Sequence, residues 1–387
     1  MIKRRVLLLS TGSANAHPVL WCLKRAGYRA FVLGNASRNS SPVLKLMCEK
    51  FYAIPEKYTF ESNSPEVAGY IKDIAKRDGI DIIVPSGFES VKFLSRYSDE
   101  LSVVSTVLSV PSAKNIDMLG NKHNFSVFCR SNGISHPRTY LLEDIDSTSV
   151  SNMGFGFPVM TKPLDMASSK GVRRFDSDKE LRDYLRSGSA DGERALPILL
   201  QEYIPGSDVG FNVFATDGRI NGWAIQHFME IERKGREPFK WLRFGENKAV
   251  FLVGKSIIEK SRYTGPANID MRIDSRDGSV RAIEVNPRFW ATTARSLCDG
   301  VNFIDVAIRS TADPSYRVEP LCSNKMWGNF WRIPILAVQN RDVAIFRHVP
   351  SFSMVQISYM LDNFFMKILS GFTRISTRKK TEIYGKD

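Results

Sequence analysis

The sequence predicts an α/β protein: an N-terminal open parallel sheet, then a mainly antiparallel core. Two patterns carry this. Short apolar runs alternate with helix-like stretches through the first 110 residues, and two hairpins follow at 211–226 and 267–285. Strand–helix alternation implies a parallel sheet with helices on both faces, and short-turn strand pairs imply antiparallel ribbons. At 387 residues the chain has room for two to three domains. Its 43% hydrophobic and 25% charged content is that of a globular chain, which excludes collagen, coiled coil and wholesale disorder.

Residues 6–9, Val-Leu-Leu-Leu, read as the first strand. With Lys3-Arg4-Arg5 ahead of them they imitate a signal peptide, but the apolar run ends at Ser10, too soon for an h-region. Thr11-Gly12-Ser13 lacks a G-x-G-x-x-G pattern and reads as a tight strand-to-helix turn more than as a phosphate cradle. A helix at 17–26 ends at Gly27, and a strand follows at 30–33. A helix at 64–77 has Val67, Tyr70, Ile71 and Ile74 on one face and stops at Gly79. The strand 80–84 closes on Pro85-Ser86-Gly87. Segment 85–90 therefore sits at a strand's carboxyl end, where open sheets bind ligands.

A helix is expected at 122–132, ended by Gly133, then a strand ending in Lys162-Pro163. The loop after it carries Ser168, Ser169, Lys170, Gly171 and Val172. Small side chains let backbone N–H groups approach a polyphosphate, and the lysine adds a mobile charge. Residues 199–206 read as a strand running into a turn. Residues 230–262 hold nine Lys/Arg and five Glu, which reads as a solvated face. In the second hairpin, Glu284 and Asn286 are two apart on one strand and share a face, and Asp270 on the partner strand faces them. Three oxygen donors on one ribbon suit a hard cation such as Mg²⁺. Arg288 shares that face by parity and can clamp a phosphate. An ordinary surface hairpin explains this triplet alone equally well. Their order along the chain with the other pieces decides.

That order resembles the ATP-grasp superfamily, nearest its carboxylate–amine ligases and the carbamoyl-phosphate-synthase-like branch. The resemblance covers roughly residues 110–310 and, more loosely, the first 110. It rests on Leu119-Gly-Asn-Lys122, Gly133-Ile-Ser-His-Pro137, Phe157-Pro-Val-Met-Thr-Lys162-Pro163, Ser168-Ser-Lys-Gly-Val172, Gln201-Glu-Tyr-Ile-Pro-Gly206, Gly265-Pro-Ala-Asn268 and Glu284-Val-Asn-Pro-Arg-Phe-Trp290. It implies a Rossmann-like pre-ATP-grasp domain at 1–110, a two-lobed ATP-grasp domain at 111–310 (lobes about 111–200 and 201–310), and a C-terminal cap and basic tail at 311–387. It implies that Lys122 and Lys162 contact nucleotide phosphates and that 168–172 is a flap over the triphosphate. Glu202, Tyr203 and Ile204 would read adenine, Glu202 by accepting from the exocyclic amine. Asp208 would hold the ribose hydroxyls. Asp270, Glu284 and Asn286 would bind Mg²⁺, two ions, with Mn²⁺ an alternative. Arg288, Lys170 and Asn286 would serve catalysis. Two positions depart from the pattern: Asn121 stands where Asp is usual, and Asp270 where Glu or Gln is common.

The implied activity is an ATP-dependent ligase that activates a carboxylate as an acyl phosphate and joins it to an amine, an amino acid being a candidate. The alternatives are another nucleophile, or carbamate or bicarbonate as substrate, and a non-catalytic nucleotide- or nucleic-acid-binding module. Ser86, Glu89, Arg243 and Arg295 are the expected substrate-side contacts. His227 reads as a hydrogen-bonded strand histidine more than as an acceptor-site residue. Five scattered cysteines, with no Cys-x-x-Cys, exclude a zinc site and a disulfide framework and fit a cytoplasmic protein. Aromatic residues at 326–331 are expected to cap the substrate cleft. The apolar stretch 351–372 and its basic tail read as a helix packed on its own core or in a homodimer, with peripheral membrane contact as the competing reading. The net charge of +13 calls for an anionic partner. Its aromatic spacing does not match a nucleic-acid platform.

Overall fold

The computed structural model describes residues 4–35, 42–55, 57–61, 64–142, 156–164, 171–187, 197–233, 236–324 and 326–327. The N-terminal unit is β1 (Arg5–Ser10), α1 (Ser13–Arg25), β2 (Arg29–Asn35), α2 (Pro42–Met47), β3 (Lys50–Ile54), α3 (Pro65–Asp78), β4 (Ile82–Pro85), α4 (Phe88–Ser102) and β5 (Thr106–Val107). Its strands pair in parallel in the order β3-β2-β1-β4-β5. Val6, Leu7, Leu8 and Leu9 are all fully buried, so β1 is covered on both faces. Gly79 takes the left-handed conformation that ends α3.

Segment 85–90 is the β4–α4 turn, and its far end, Phe88 and Glu89, reaches the cleft. A Cβ on Gly87 would lie 2.1 Å from the Thr11 hydroxyl, so this turn and the β1–α1 turn pack directly together. α4 buries Val91, Phe93, Leu94, Tyr97 and Leu101.

The middle of the chain is α5 (Ala113–Gly120), α6 (Lys122–Ser131), β6 (Thr139–Leu142), β7 (Val159–Pro163), β8 (Arg173–Phe175), α7 (Asp178–Ser187) and β9 (Ile198–Glu202). Its antiparallel sheet runs β6-β9-β7-β8. Leu181 and Leu185 of α7 close its core against Val159, Phe175, Ile198 and Leu200. The third unit is β10 (Gly206–Thr216), β11 (Arg219–Arg233), β12 (Arg236–Phe244), α8 (Lys248–Ser261), β13 (Gly265–Asp274), β14 (Val280–Asn286), a 3-10 helix (Thr293–Asp299), α9 (Phe303–Ala312) and β15 (Met326–Trp327). Its strands run β14-β13-β10-β11-β12-β15, each neighbour antiparallel.

Two expectations are corrected here. The basic stretch 230–262 contains strand β12 and helix α8, and α8 buries Val250, Ile257 and Ile258. Charge count hid this apolar face. Trp327, expected over the cleft, is instead 5% exposed and packs in the core through the β12–β15 pairing. The expected cap residues at 328–331, the helix 351–372 and the basic tail lie outside the described residues.

α1 and α9 join the first and third units. Tyr28 donates to Asp305 Oδ1 at 2.8 Å, and Asn302 Nδ2 donates to the Cys22 carbonyl at 3.1 Å. Phe303, Ile304 and Ala307 share one core with Val19, Leu20 and Leu23. Burying each such large apolar side chain stabilises by roughly 1.5–3 kcal/mol. This joint sets the N-terminal unit against the third unit, with α4 facing the third unit's polar strands.

Candidate active site

A cleft of about 1200 Å³ lies where the three units meet. One wall is the polar face of β10, β13 and β14. Asp270 is directly opposite Glu284, and Asn268 opposite Asn286. A bulge adds Ile283 to β14 between the paired residues. It turns Glu284 and Asn286 to the cleft while Ala282 and Val285 both stay in the core behind. Asn286 Nδ2 donates to Asp270 Oδ2 (3.2 Å), Asn268 Oδ1 (3.3 Å) and Glu284 Oε1 (3.5 Å). Its Oδ1 accepts from Arg288 Nη2 at 3.3 Å. Burial, and then the facing charge of Glu284, push the Asp270 carboxyl well above the usual carboxylate range. Burial pushes Arg288 down, opposed by Asp270, Glu284 and Glu89.

Among the described residues, no three His, Cys, Asp or Glu side chains cluster to hold a metal ion. The donor set is the two carboxylates, and the Asn286 amide oxygen, which here faces Arg288, joins them when the amide turns over. This set still fits a hard divalent cation: the carboxylates face each other, and the repulsion that raises Asp270 is what a cation between them would relieve.

Across the cleft, β7 presents Lys162 and, two residues earlier, Met160. Burial lowers the Lys162 ammonium, with Glu284 and Asp270 opposing it. Lys122 starts α6, where Asn121 accepts from His123 N (2.9 Å) and Asn124 N (3.1 Å). The departure from Asp at 121 is thus a helix cap, which Asn serves as well as Asp.

The hinge between the lobes is 202–206. Tyr203 lies between guanidinium groups, Arg174 at 4.6 Å and Arg272 at 6.0 Å from its ring centre. Ile204 is 3% exposed and lines the cleft. Asp208 pairs with Arg272 at 2.7 Å. A Cβ on Gly206 would lie 2.0 Å from the Ile273 carbonyl, and its φ of 128° suits only glycine, so this hinge end needs one.

The structure revises several expected roles. The Glu202 carboxylate accepts from Arg276 (3.1 Å) and Arg138 (3.3 Å). Burial pushes it up, but these bonds outweigh burial and hold it below the usual carboxylate range. The side chain is thereby committed, contrary to its expected bond with an exocyclic amine. Ser86 is fully buried, and its hydroxyl donates to the Leu9 carbonyl at 2.9 Å. It ties β4 to β1 instead of meeting substrate. Arg243 lies opposite His227 in the β11–β12 register, on the sheet face turned away from the cleft, and donates to Asn324 at 2.9 Å. Arg295 sits half-buried on the 3-10 helix and does not line the cleft. His227 Nε2 is buried with no hydrogen-bond partner among the described residues. Glu89 does line the cleft, as does Val172, while Gly171 is exposed beside it. Ser168, Ser169 and Lys170 lie outside the described residues.

Sequence reasoning missed Met160, Arg272, Lys92 and Arg96 on the cleft walls. Strand parity could have found the first two, each two residues from a chosen position: Lys162 and Asp270. Helical spacing from Glu89 could have found the others.

No family model matches the chain. The carbamoyl phosphate synthase large chain of Pyrococcus furiosus is 22% identical over 239 residues, 58% of this chain and 21% of that protein. The chain thus spans about a fifth of that relative's length. Among solved structures, N5-carboxyaminoimidazole synthetase of Staphylococcus aureus matches with a TM-score of 0.62 at 13% identity, over 88% of this chain and 87% of that one. An L-amino acid ligase of Bacillus licheniformis matches at 0.57 and 15%, over 80% and 74%. The biotin carboxylase domain of Hydrogenobacter thermophilus 2-oxoglutarate carboxylase, solved with MgADP and bicarbonate, matches at 0.62 and 18%, over 82% and 71%. At these identities the likeness is one of fold.

Proposed function

We propose that this chain, whose fold is the ATP-grasp fold, is an ATP-dependent ligase that activates a carboxylate as an acyl phosphate and joins it to an amine. One observation carries the reading: Asp270 and Glu284 face each other, with Asn286 and Arg288, across a cleft from Lys162. Two carboxylates in contact disfavour each other unless a shared proton or a cation serves them both, and a hard cation does so with both ionised.

Asp270, Glu284 and Asn286 Oδ1 would hold Mg²⁺, which when bound supplies positive charge to the triphosphate oxygens. Lys122 and Lys162 bind the phosphates. Tyr203 and Ile204 read adenine through backbone at the hinge, and Arg138 and Arg276 stiffen that hinge through Glu202. Asp208, held by Arg272, takes the ribose hydroxyls. Arg288 neutralises the γ-phosphoryl group as it passes to a substrate carboxylate oxygen and ADP leaves. The amine then attacks the acyl carbon, phosphate leaves with the C–O bonding pair, and the amine sheds a proton. The flap role of Ser168, Ser169, Lys170, Gly171 and Val172 belongs to the same proposal. The free state of all five cysteines supports a reducing, cytoplasmic setting. Among the described residues, no helix is long and apolar enough to cross a membrane.

The test is ADP and phosphate release by the full chain with MgATP over a matrix of carboxylates and amines, bicarbonate included. Release that needs both an acid and an amine supports the reading. Release with bicarbonate and no other acid would move the electrophile to bicarbonate. No release with any pair overturns it.

A further inference from the structure

The ligase reading leaves one wall of the cleft without a task. That wall is α4, which presents Phe88, Glu89, Lys92 and Arg96 to the cavity. Residues 89, 92 and 96 lie on one helical face, stepping about 4.5 and 6 Å along the axis. Their charges run negative, positive, positive. Resting on the ligase reading, we propose that this face is the acceptor subsite and takes a free α-amino acid as its zwitterion, Glu89 holding the ammonium group and Lys92 with Arg96 the carboxylate.

The orientation follows from the neighbours. Glu89 and Arg288 interact electrostatically across the cleft, so the Glu89 end of the stripe lies toward the phosphoryl-transfer centre. An amine held there stands toward the activated carboxyl, with its own carboxylate directed up the helix. Glu89 and Lys92 lie 4.0 Å apart, at the outer limit of an ion pair, and the half-buried Glu89 is not tightly closed by its own lysine. Lys92 is steadied over the Phe88 ring at 4.7 Å. Burial raises the Glu89 carboxyl, which suits a group that must take a proton from the ammonium before it attacks. A surface of one carboxylate and two cations binds an amine or an acid with half its charges unanswered. Only a molecule with both groups answers all of them.

The experiment is calorimetric titration of the full chain, held with Mg²⁺ and a non-hydrolysable ATP analogue. The probes are the twenty L-amino acids, then, for the best binder, its decarboxylated amine and its deaminated acid. Both truncated probes are expected to bind at least about tenfold more weakly, the cost of one unanswered charge. Glu89→Gln is expected to weaken the amino acid about tenfold. Lys92→Ala with Arg96→Ala is expected to weaken the amino acid and leave the decarboxylated amine unchanged. Nucleotide affinity, measured on the same samples, reports folding. Failure of every amino acid to bind, equal binding of the decarboxylated amine, or wild-type affinity in Glu89→Gln overturns the proposal. The two readings fail separately. Zwitterion-selective binding without ADP release under any carboxylate sinks the ligase reading, whereas ADP release with amines but not amino acids sinks this one.

Discussion

The two faces of the six-stranded sheet come from the same strands and do opposite work. On the front, β10, β13 and β14 present Asp208, Asp270, Arg272, Glu284 and Asn286 to the cleft. On the back, the alternate residues Val209, Phe211, Ile269, Met271 and Val285 lie in one core, sealed by Val250, Ile257 and Ile258 of α8. A period of two lets each strand carry both faces. The front spends stability, since like charges directly opposite destabilise a sheet. The back recovers it by apolar burial. A facing carboxylate pair can therefore persist because it is mounted on a strongly held strand pair.

That contrast can be broken from either side. Glu284→Gln is expected to lower ADP release on the order of 10³-fold while leaving the melting temperature unchanged or higher, since it removes a facing like charge. Steady-state kinetics beside calorimetry checks this, and a melting point several degrees lower would mean the front face holds the fold together. Phe211→Ala on the back is expected to cost about 3–5 kcal/mol of stability, because the ring is fully buried, and to spare nucleotide affinity in the folded fraction. Urea unfolding and nucleotide titration below the transition read the two quantities separately.

The smallest effect is a titration. His227 lies on the back face, where burial first and Arg243 second push its imidazole from 6.5 down to about 4. The folded state keeps the ring neutral where the unfolded chain protonates it. Stability is therefore full above pH 6.5 and is lost as pH falls from there toward 4. Allowing for solvent screening of a partly exposed ring, the loss is about 1–2 kcal/mol. His227→Gln should flatten the change in urea midpoint between pH 7.5 and 5, and an unchanged slope would show that the ring contributes nothing to it.

The legible part of the site was its local part. Glu284 and Asn286 are neighbours by strand parity, and Lys162 and Lys122 stand in recognisable strings, so each could be chosen without knowing what lay across from it. Ser86 and Glu202 carried the right chemistry in the right segment, but each meets a distant group that takes it: the Leu9 carbonyl for one, Arg138 and Arg276 for the other. Arg243 was misplaced because a strand's two faces look alike until its register is known. The core face of α8 was hidden by its charge count.

By itself the sequence determined the period-two and helical patterns, the order of the motifs, and the shared face of Glu284 and Asn286. These depend on neighbours a few residues apart, and steric rules act at that range. The pairing of Glu284 with Asp270, by contrast, needed the bulge at Ile283. Only the tertiary structure decided which wall of the cleft α4 forms, that Arg272 steadies Asp208, and that Glu202 is spent on the hinge. Those contacts join residues 64 to 277 positions apart. The burial, charge and partner of each group there are set by chain packed against it from elsewhere, and no local pattern encodes them.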